Sequence, residues 1–469
     1  MKNFLSPRIL DSFVEKAVEA LPGGIPLHSP DCESLGKLWK QHGLRPGDLV
    51  LLCLPNCKEL LHQYFGVLMA GGVPALLPPL LPAARLREIA TAMGAYAIGG
   101  LRLSAGDLGA ESYNSIGPLH VAILRPPPEP AGAPGEVVLM TSGTSGVASG
   151  CVFDFEAILL NGQRHAKAIG KGAGDTVLVT LPMYFSFALS AQALSSLVCG
   201  NRLIISGPPF SVGGYRKALE DYGITISSLT PVGIRSVLQN DESVLVGPRV
   251  LSVGGDALEP DLVARLVELR KGKDVYITYG LTQAGPRVST LAAHAEPSSR
   301  YSSVGLAHEG TTVSLHPVGD GSERNQLYVN SATVMKRAIG RVEGRSNNDL
   351  VGPQTVATGD LFDQDRDGYL YFRGRFSDFI SRKGEKISLA AVRRLAATLP
   401  HVVSAKTHII KHEDGTEDYD LELRVNAVAH EPYEKSDMRG LLGSILRRSE
   451  MPRSVHIELA NEMDEQRYK

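Results

Sequence analysis

Short apolar runs rich in Val, Ile and Leu recur along the chain, each bounded by Gly, Pro or charged residues. Residues 49–54 (LVLLCL), 137–140 (VVLM), 176–181 (TVLVTL) and 250–253 (VLSV) have the length and branching of strands. Between them, segments such as 58–69 and 258–269 place apolar residues three and four apart, which predicts helices. Because the strand-like runs are continuous rather than alternating, both faces of each strand are expected to be covered. That pattern belongs to mostly parallel sheets with helices packed outside, and ligands gather in loops at the carboxyl ends of such strands. The longest uncharged stretch, 66–84, is interrupted by Pro74, Pro78, Pro79 and Pro82, so it reads as buried strand and loop rather than a spanning helix.

Toward the carboxyl end the pattern changes. Residues 363–368 (DQDRDG) predict a hairpin turn into 369–372, and the charged segment 373–386 follows as a hinge region. Beyond it, helical patterns at 389–398 and 437–447 alternate with extended runs at 402–410, 419–425 and 454–459. The reading is an α/β protein: a large N-terminal domain, 1–374, of layered, mostly parallel sheets with flanking helices, and a small α+β C-terminal domain, 375–469. The Pro-rich run 125–134 (RPPPEPAGAP) is a semi-rigid connector inside the first.

Composition narrows the classes further. With 469 residues, two to four structural units are expected, and 50 acidic against 48 basic residues leave a net charge of −2. Neither nucleic acid nor an anionic membrane is then a default partner. Five cysteines, Cys32, Cys53, Cys57, Cys151 and Cys199, form an odd set without CxxC spacing, which disfavours disulfides and structural zinc and fits a reducing compartment. The N-terminus, MKNFLSPRIL, lacks the apolar run of a signal peptide, so a cytoplasmic location is expected.

Four loops offer chemistry. Residues 141–150 (TSGTSGVASG) follow a strand-like segment and combine small hydroxyls with glycines, either an anion cradle of backbone N–H groups or a flexible surface loop. No Gly-Lys-Ser/Thr closes it and no Gly-x-Ser-x-Gly occurs in it, so P-loop NTPase and α/β-hydrolase readings fall. In 275–285 (VYITYGLTQAG) an apolar strand ends in an aromatic, a glycine and a threonine, able to stack a base and donate to a phosphate. In 357–360 (ATGD) an aspartate at a strand end can accept both hydroxyls of a ribose. Residues 374–387 (GRFSDFISRKGEKI) mix four cations with Asp378 and Glu385 at the proposed hinge.

In this order, the four motifs resemble those of the adenylate-forming (AMP-binding) superfamily, which includes acyl-CoA synthetases, peptide-synthetase adenylation domains and firefly luciferase. The turn LSVGGDAL at 251–258, residues 304–306 and the N-terminal stretches RPGDLVLLCLPNCKEL and VLMAGGVPALLPP add to the likeness, which spans roughly 34–469. It implies that ATP and a carboxylic acid give an acyl-adenylate, whose acyl group then passes to the thiol of CoA or of a carrier protein's phosphopantetheine.

By that resemblance Thr141, Ser142, Gly143, Thr144, Ser145 and Gly146 would cradle phosphate, Tyr279 and Gly280 would flank the adenine, and Gly255, Asp256 and Ala257 would edge it. Thr282 would contact the α-phosphate, and Asp360 and Arg375 would hold the ribose. The mobile C-terminal domain would pivot at Ser377 and present the face around Gly384 for the second step. Three positions depart from the family. Ala148, Ser149 and Gly150 replace its Pro-Lys-Gly, Gln283 replaces the magnesium-binding glutamate, and Lys469 takes the place of the adenylation lysine on position alone. The acyl pocket would draw on Phe185, Phe187, Ala188, Gly254, Leu281, Arg287 and Val288. Ala188 stands where amino-acid-activating relatives carry an aspartate, which disfavours an α-amino acid, and Arg287 either answers a further polar group on the acid or points to solvent.

Overall fold

The computed structural model describes residues 6–20, 30–103, 108–125, 127–141, 149–207, 210–318, 324–340, 350–382, 385–412, 417–426 and 435–460. Two eight-stranded sheets form the body of the chain. In the first, Val18–Glu19, Arg202–Ile205, Thr176–Val179, Ile226–Leu229, Val250–Gly254 and Asp274–Tyr279 run parallel in that spatial order. Ser289–Ala292 and Leu306–Ala307 complete its edge antiparallel. The second is parallel only at its centre, through Glu136–Met140, Val73–Leu76, Leu49–Cys53 and Ala95–Gly100. Antiparallel hairpins flank that centre, because connections as short as 117–118 can join only antiparallel neighbours.

Strand Leu49–Cys53 shows why its sequence is apolar throughout. Val50 and Leu52 pack with Leu60, Leu61, Tyr64 and Phe65 of helix Lys58–Ala70, whereas Leu49, Leu51 and Cys53 pack with Leu86, Ile89 and Ala90 of helix Ala83–Met93. Successive side chains point to opposite faces and both faces carry a helix, so no polar position is available. Each such leucine contributes about 1.5–3 kcal/mol by leaving water.

Two segments differ from their expected elements. The stretch 66–84 holds the end of helix Lys58–Ala70, closed by a left-handed Gly71, then strand Val73–Leu76 and the start of helix Ala83–Met93. The strand Thr176–Val179 stops short of PMYFSFALS, where an apolar π-helix, Phe187–Leu194, begins instead. In both places the largely uncharged run carries no period that separates helix from strand.

A five-stranded antiparallel sheet follows, built on Thr311–Pro317, Asn325–Ser331 and Thr355–Gln364, with Leu350–Gly352 and Leu370–Arg375 paired to the last of these. The expected DQDRDG turn joins Thr355–Gln364 to Leu370–Arg375, and Asp365 Oδ1 accepts the backbone N–H groups of Asp367 and Tyr369. Beyond it, helices Leu389–Ala396 and Lys435–Ile445 cover the sheet of Val402–Lys411, Glu417–Asn426 and Val455–Ala460. This unit has a core of its own, from Ile380 through Tyr419, Leu421 and Leu423 to Val455. The five cysteines are free, and no helix among the described residues is long and apolar enough to cross a membrane.

Candidate functional site

The first sheet delivers its carboxyl ends to one place. Strand Asp274–Tyr279 ends in Tyr279, whose hydroxyl donates to Asp360 Oδ2 at 2.6 Å, across from the neighbouring antiparallel sheet. The Tyr279 ring meets Phe362 edge-on at 4.8 Å, which fixes its plane. Arg375, paired with Asp360 across the Thr355–Gln364/Leu370–Arg375 hairpin, brings its Nε within 3.0 Å of Asp360 Oδ1 without the alignment of a hydrogen bond. Burial raises the Asp360 carboxyl above its ordinary pKa, against the pull of Arg375 and Tyr279. Tyr279 is pushed well above the usual phenol value by burial and by Asp360. A carboxylate has about four acceptor sites, so Tyr279 and Arg375 do not use up its capacity, although Asp360 itself is 2% exposed. A carboxylate beside an aromatic ring and a guanidinium is a donor and acceptor set whose chemistry suits a nucleotide.

Gly280 and Gly254 permit the close approach. A side chain at Gly280 would sit 1.7 Å from the Pro286 carbonyl oxygen, and one at Gly254 would meet Thr278 Oγ1 at 2.4 Å and Arg287 Nη1 at 2.9 Å. Next to Gly254, Gly255, Asp256 and Ala257 form an exposed turn, with Asp256 Oδ1 accepting the Ala257 N–H at 2.8 Å. Asp256 lies near enough to Arg375 to favour its charge.

On the other side of Gly280, Thr282 Oγ1 lies 3.0 Å from Ser186 Oγ, and the Gln283 carbonyl accepts the Met335 N–H at 2.9 Å. Ser186 precedes the π-helix, so Phe187 follows directly; Arg287 stacks over that ring at 4.3 Å. Ser186, Thr278 and Asn161, which locks the Arg287 backbone through bonds of 2.8 and 2.9 Å, were not singled out from the sequence. Thr278 and Ser186 lie inside the stretches 275–285 and 182–190, whose other residues drew the attention, and Asn161 belongs to no local motif.

Placement of the expected pocket residues is mixed. Phe187 and Ala188 are buried in the main core and Phe185 packs against it. Leu281 and Val288 instead join Leu327, Val329, Val356 and Phe362 in the core beside strand Thr355–Gln364, so they do not share a cluster with Phe187. Arg287 does not point to solvent; it is 3% exposed. Thr141 and Ser149 close the neck of the hairpin between Glu136–Met140 and Gly150–Asp154, their hydroxyls 2.7 Å apart. Ser142, Gly143, Thr144, Ser145, Gly146 and Ala148, with Gly384 and Lys469, lie outside the described residues.

The sequence profile of the family described as AMP-binding enzyme matches residues 30–337. A 4-coumarate–CoA ligase-like protein of Oryza sativa subsp. japonica is 24% identical over 412 residues, covering 79% of this chain and 68% of that protein. Feruloyl-CoA synthase of Amycolatopsis sp is 28% identical over 375 residues, 75% of this chain and 73% of that one. Among solved structures, o-succinylbenzoate CoA synthetase from Bacillus subtilis with its acyl-adenylate intermediate aligns with a TM-score of 0.74 at 19% identity, over 98% of this chain and 96% of that chain. The class so defined is the acyl-adenylate-forming synthetase, an acid–thiol ligase that uses ATP. This chain belongs to the AMP-binding enzyme family.

Proposed function

We propose that the protein activates a carboxylic acid other than an α-amino acid as its acyl-adenylate and passes the acyl group to the thiol of CoA or of a carrier protein's phosphopantetheine. The observation that carries this reading is the convergence of Tyr279, Asp360 and Arg375 on one side of Gly280, with Thr282, Ser186 and Phe187 on the other. A nucleotide held by the first group presents its α-phosphate to the second, where the Thr282 and Ser186 hydroxyls donate to phosphate oxygens. Adenylation is mostly a matter of positioning and of answering charge on the leaving pyrophosphate. Residues 142–148 and Lys469, which the family resemblance assigns to the phosphates and to the substrate carboxylate, lie outside the described residues.

Magnesium, when bound, neutralises phosphate charge; Gln283, whose backbone is tied to Met335, offers it a neutral oxygen in place of a carboxylate. A fully buried Ala188 cannot pair with an α-ammonium group, which supports an acid without one. The five free cysteines support a cytoplasmic site of action.

A second reading is a nucleotide-binding relative without turnover. It is favoured by Ser149, which stands where the family carries a lysine and whose hydroxyl is committed to Thr141. Acid-dependent exchange of pyrophosphate into ATP, over aryl, aliphatic and dianionic acids with magnesium and manganese, separates the two. Exchange with no acid under either metal removes the enzyme reading. Product masses with CoA, holo carrier protein and amines then identify the acceptor.

A further inference from the structure

Arg287 is a buried cation with no carboxylate paired to it among the described residues. Its side chain is 3% exposed, Nη1 donates to Thr278 Oγ1 at 2.9 Å, and Nε is buried without a partner. No Asp or Glu among the described residues forms an ion pair with it. Of its titratable neighbours only the Tyr279 phenol favours its charge, while His165 and His308 lie close by and the charge of Arg287 helps to keep both rings neutral. Burial lowers the guanidinium only to about 10, so it remains charged at neutral pH. A buried charge without its counter-charge is strongly unfavourable, and a hydrophobic side chain of similar volume would fill the same space more cheaply. The guanidinium is also held still, its backbone by both ends of the Asn161 amide and its plane by the Phe187 ring at 4.3 Å.

Its position says what it waits for. Phe187 follows Ser186, whose hydroxyl is 3.0 Å from Thr282, and Arg287 lies 4.3 Å over that ring and beside the bare backbone of Gly254. Phe187 and Gly254 are two of the residues that the family resemblance assigns to the acyl pocket. We propose that Arg287 binds an anionic group at the end of the acid remote from the carboxylate being activated. The substrate class is then a carboxylic acid bearing a second carboxylate or a sulfonate, rather than a neutral fatty or aryl acid. This rests on the adenylation reading above.

The test compares short dicarboxylic and sulfocarboxylic acids with their monoesters and monoamides in pyrophosphate exchange, together with thermal melting of the full chain. Dianionic acids are expected to lead their neutral partners by at least about tenfold in kcat/KM, the worth of one charge-assisted contact. Arg287→Met erases that ratio and Arg287→Lys keeps part of it. Without ligand, Arg287→Met melts at or above wild type, because an unanswered charge has gone; a guanidinium with a merely structural role would lower it. Dianionic acids should raise the melting temperature of wild type and not of the Met variant. Equal or better exchange with the neutral acids, or a ratio that survives in Arg287→Met, overturns the assignment and leaves adenylation standing. Exchange with no acid sinks the adenylation reading, and a melting shift confined to dianions would then support the anion site alone; no exchange and no shift removes both.

Discussion

Removing the Asp360 carboxylate would strand two groups at once, the Tyr279 hydroxyl and the Arg375 guanidinium, both of which are aimed at it. Asp360→Ala is therefore expected to weaken ATP binding by about 10–100-fold, the loss of contacts to an ionised acceptor. Calorimetry with ATP checks this, and unchanged affinity would sink the ribose assignment. His308 offers a second prediction, in stability. Burial, with Arg287 and Arg164 nearby, lowers its pKa from 6.5 to about 4, while Nε2 bonds Thr290. The unfolded chain then takes up a proton before the folded one does. Stability is unaffected by this ring above pH 6.5 and is lost as pH falls toward 4, by at most about 3 kcal/mol. Urea unfolding at pH 7.5 and 5 should show wild type losing more than His308→Asn; parallel losses would count against a buried neutral ring.

At the scale of elements, the turn after strand Asp274–Tyr279 does the positioning, and its tightest point is Gly280. The methyl of Gly280→Ala would lie 1.7 Å from the Pro286 carbonyl oxygen, which is backbone and cannot step aside. The variant is expected to lose about 1–3 kcal/mol of stability. It should also raise the KM for ATP, because Tyr279 and Thr282 hang from the two sides of that turn. Melting temperature and KM moving independently would say that the turn does not couple them. The turn after Tyr279 was legible in the sequence, because an apolar strand does end at Tyr-Gly-Leu-Thr; the ATGD strand end was not, since Asp360 lies inside strand Thr355–Gln364, which runs on past it. The acyl pocket was not either. Its PMYFSFALS segment is apolar without a period, so it read as a strand end and folds as a π-helix. Val288 was expected beside Phe187 in one apolar pocket, yet neighbours in an extended segment face opposite ways: Arg287 meets Phe187 and Val288 joins the cluster of Phe362. Which face looks into a pocket depends on the partner elements, and no local pattern records those.

For the whole molecule the proposed function asks how one site would serve two half-reactions, and the family resemblance puts the pivot at Ser377. Arg375 reaches back to Asp360 in the large domain. Asp378, three residues on, reaches forward to Arg393 of helix Leu389–Ala396 at 2.9 Å and also accepts the Arg375 N–H at 3.3 Å. Ser377 thus lies in a short turn, Phe376–Asp378, between an ionic anchor to each domain, and the C-terminal core from Ile380 onward shares no cluster with the rest. A rotation between these anchors needs new backbone angles at only one or two residues while both cores stay intact. Proline at 377 fixes its own φ and restricts Phe376, so it should favour one orientation of the C-terminal domain over the other. Ser377→Pro is accordingly expected to split the half-reactions: either acid-dependent pyrophosphate exchange or thioester formation from preformed acyl-adenylate falls by at least about tenfold, a barrier change near 1.4 kcal/mol, while the other stays close to wild type. Measuring both on the same preparation decides it. Equal losses would mean that proline has only damaged the fold, and two unchanged rates would place the pivot elsewhere in the chain.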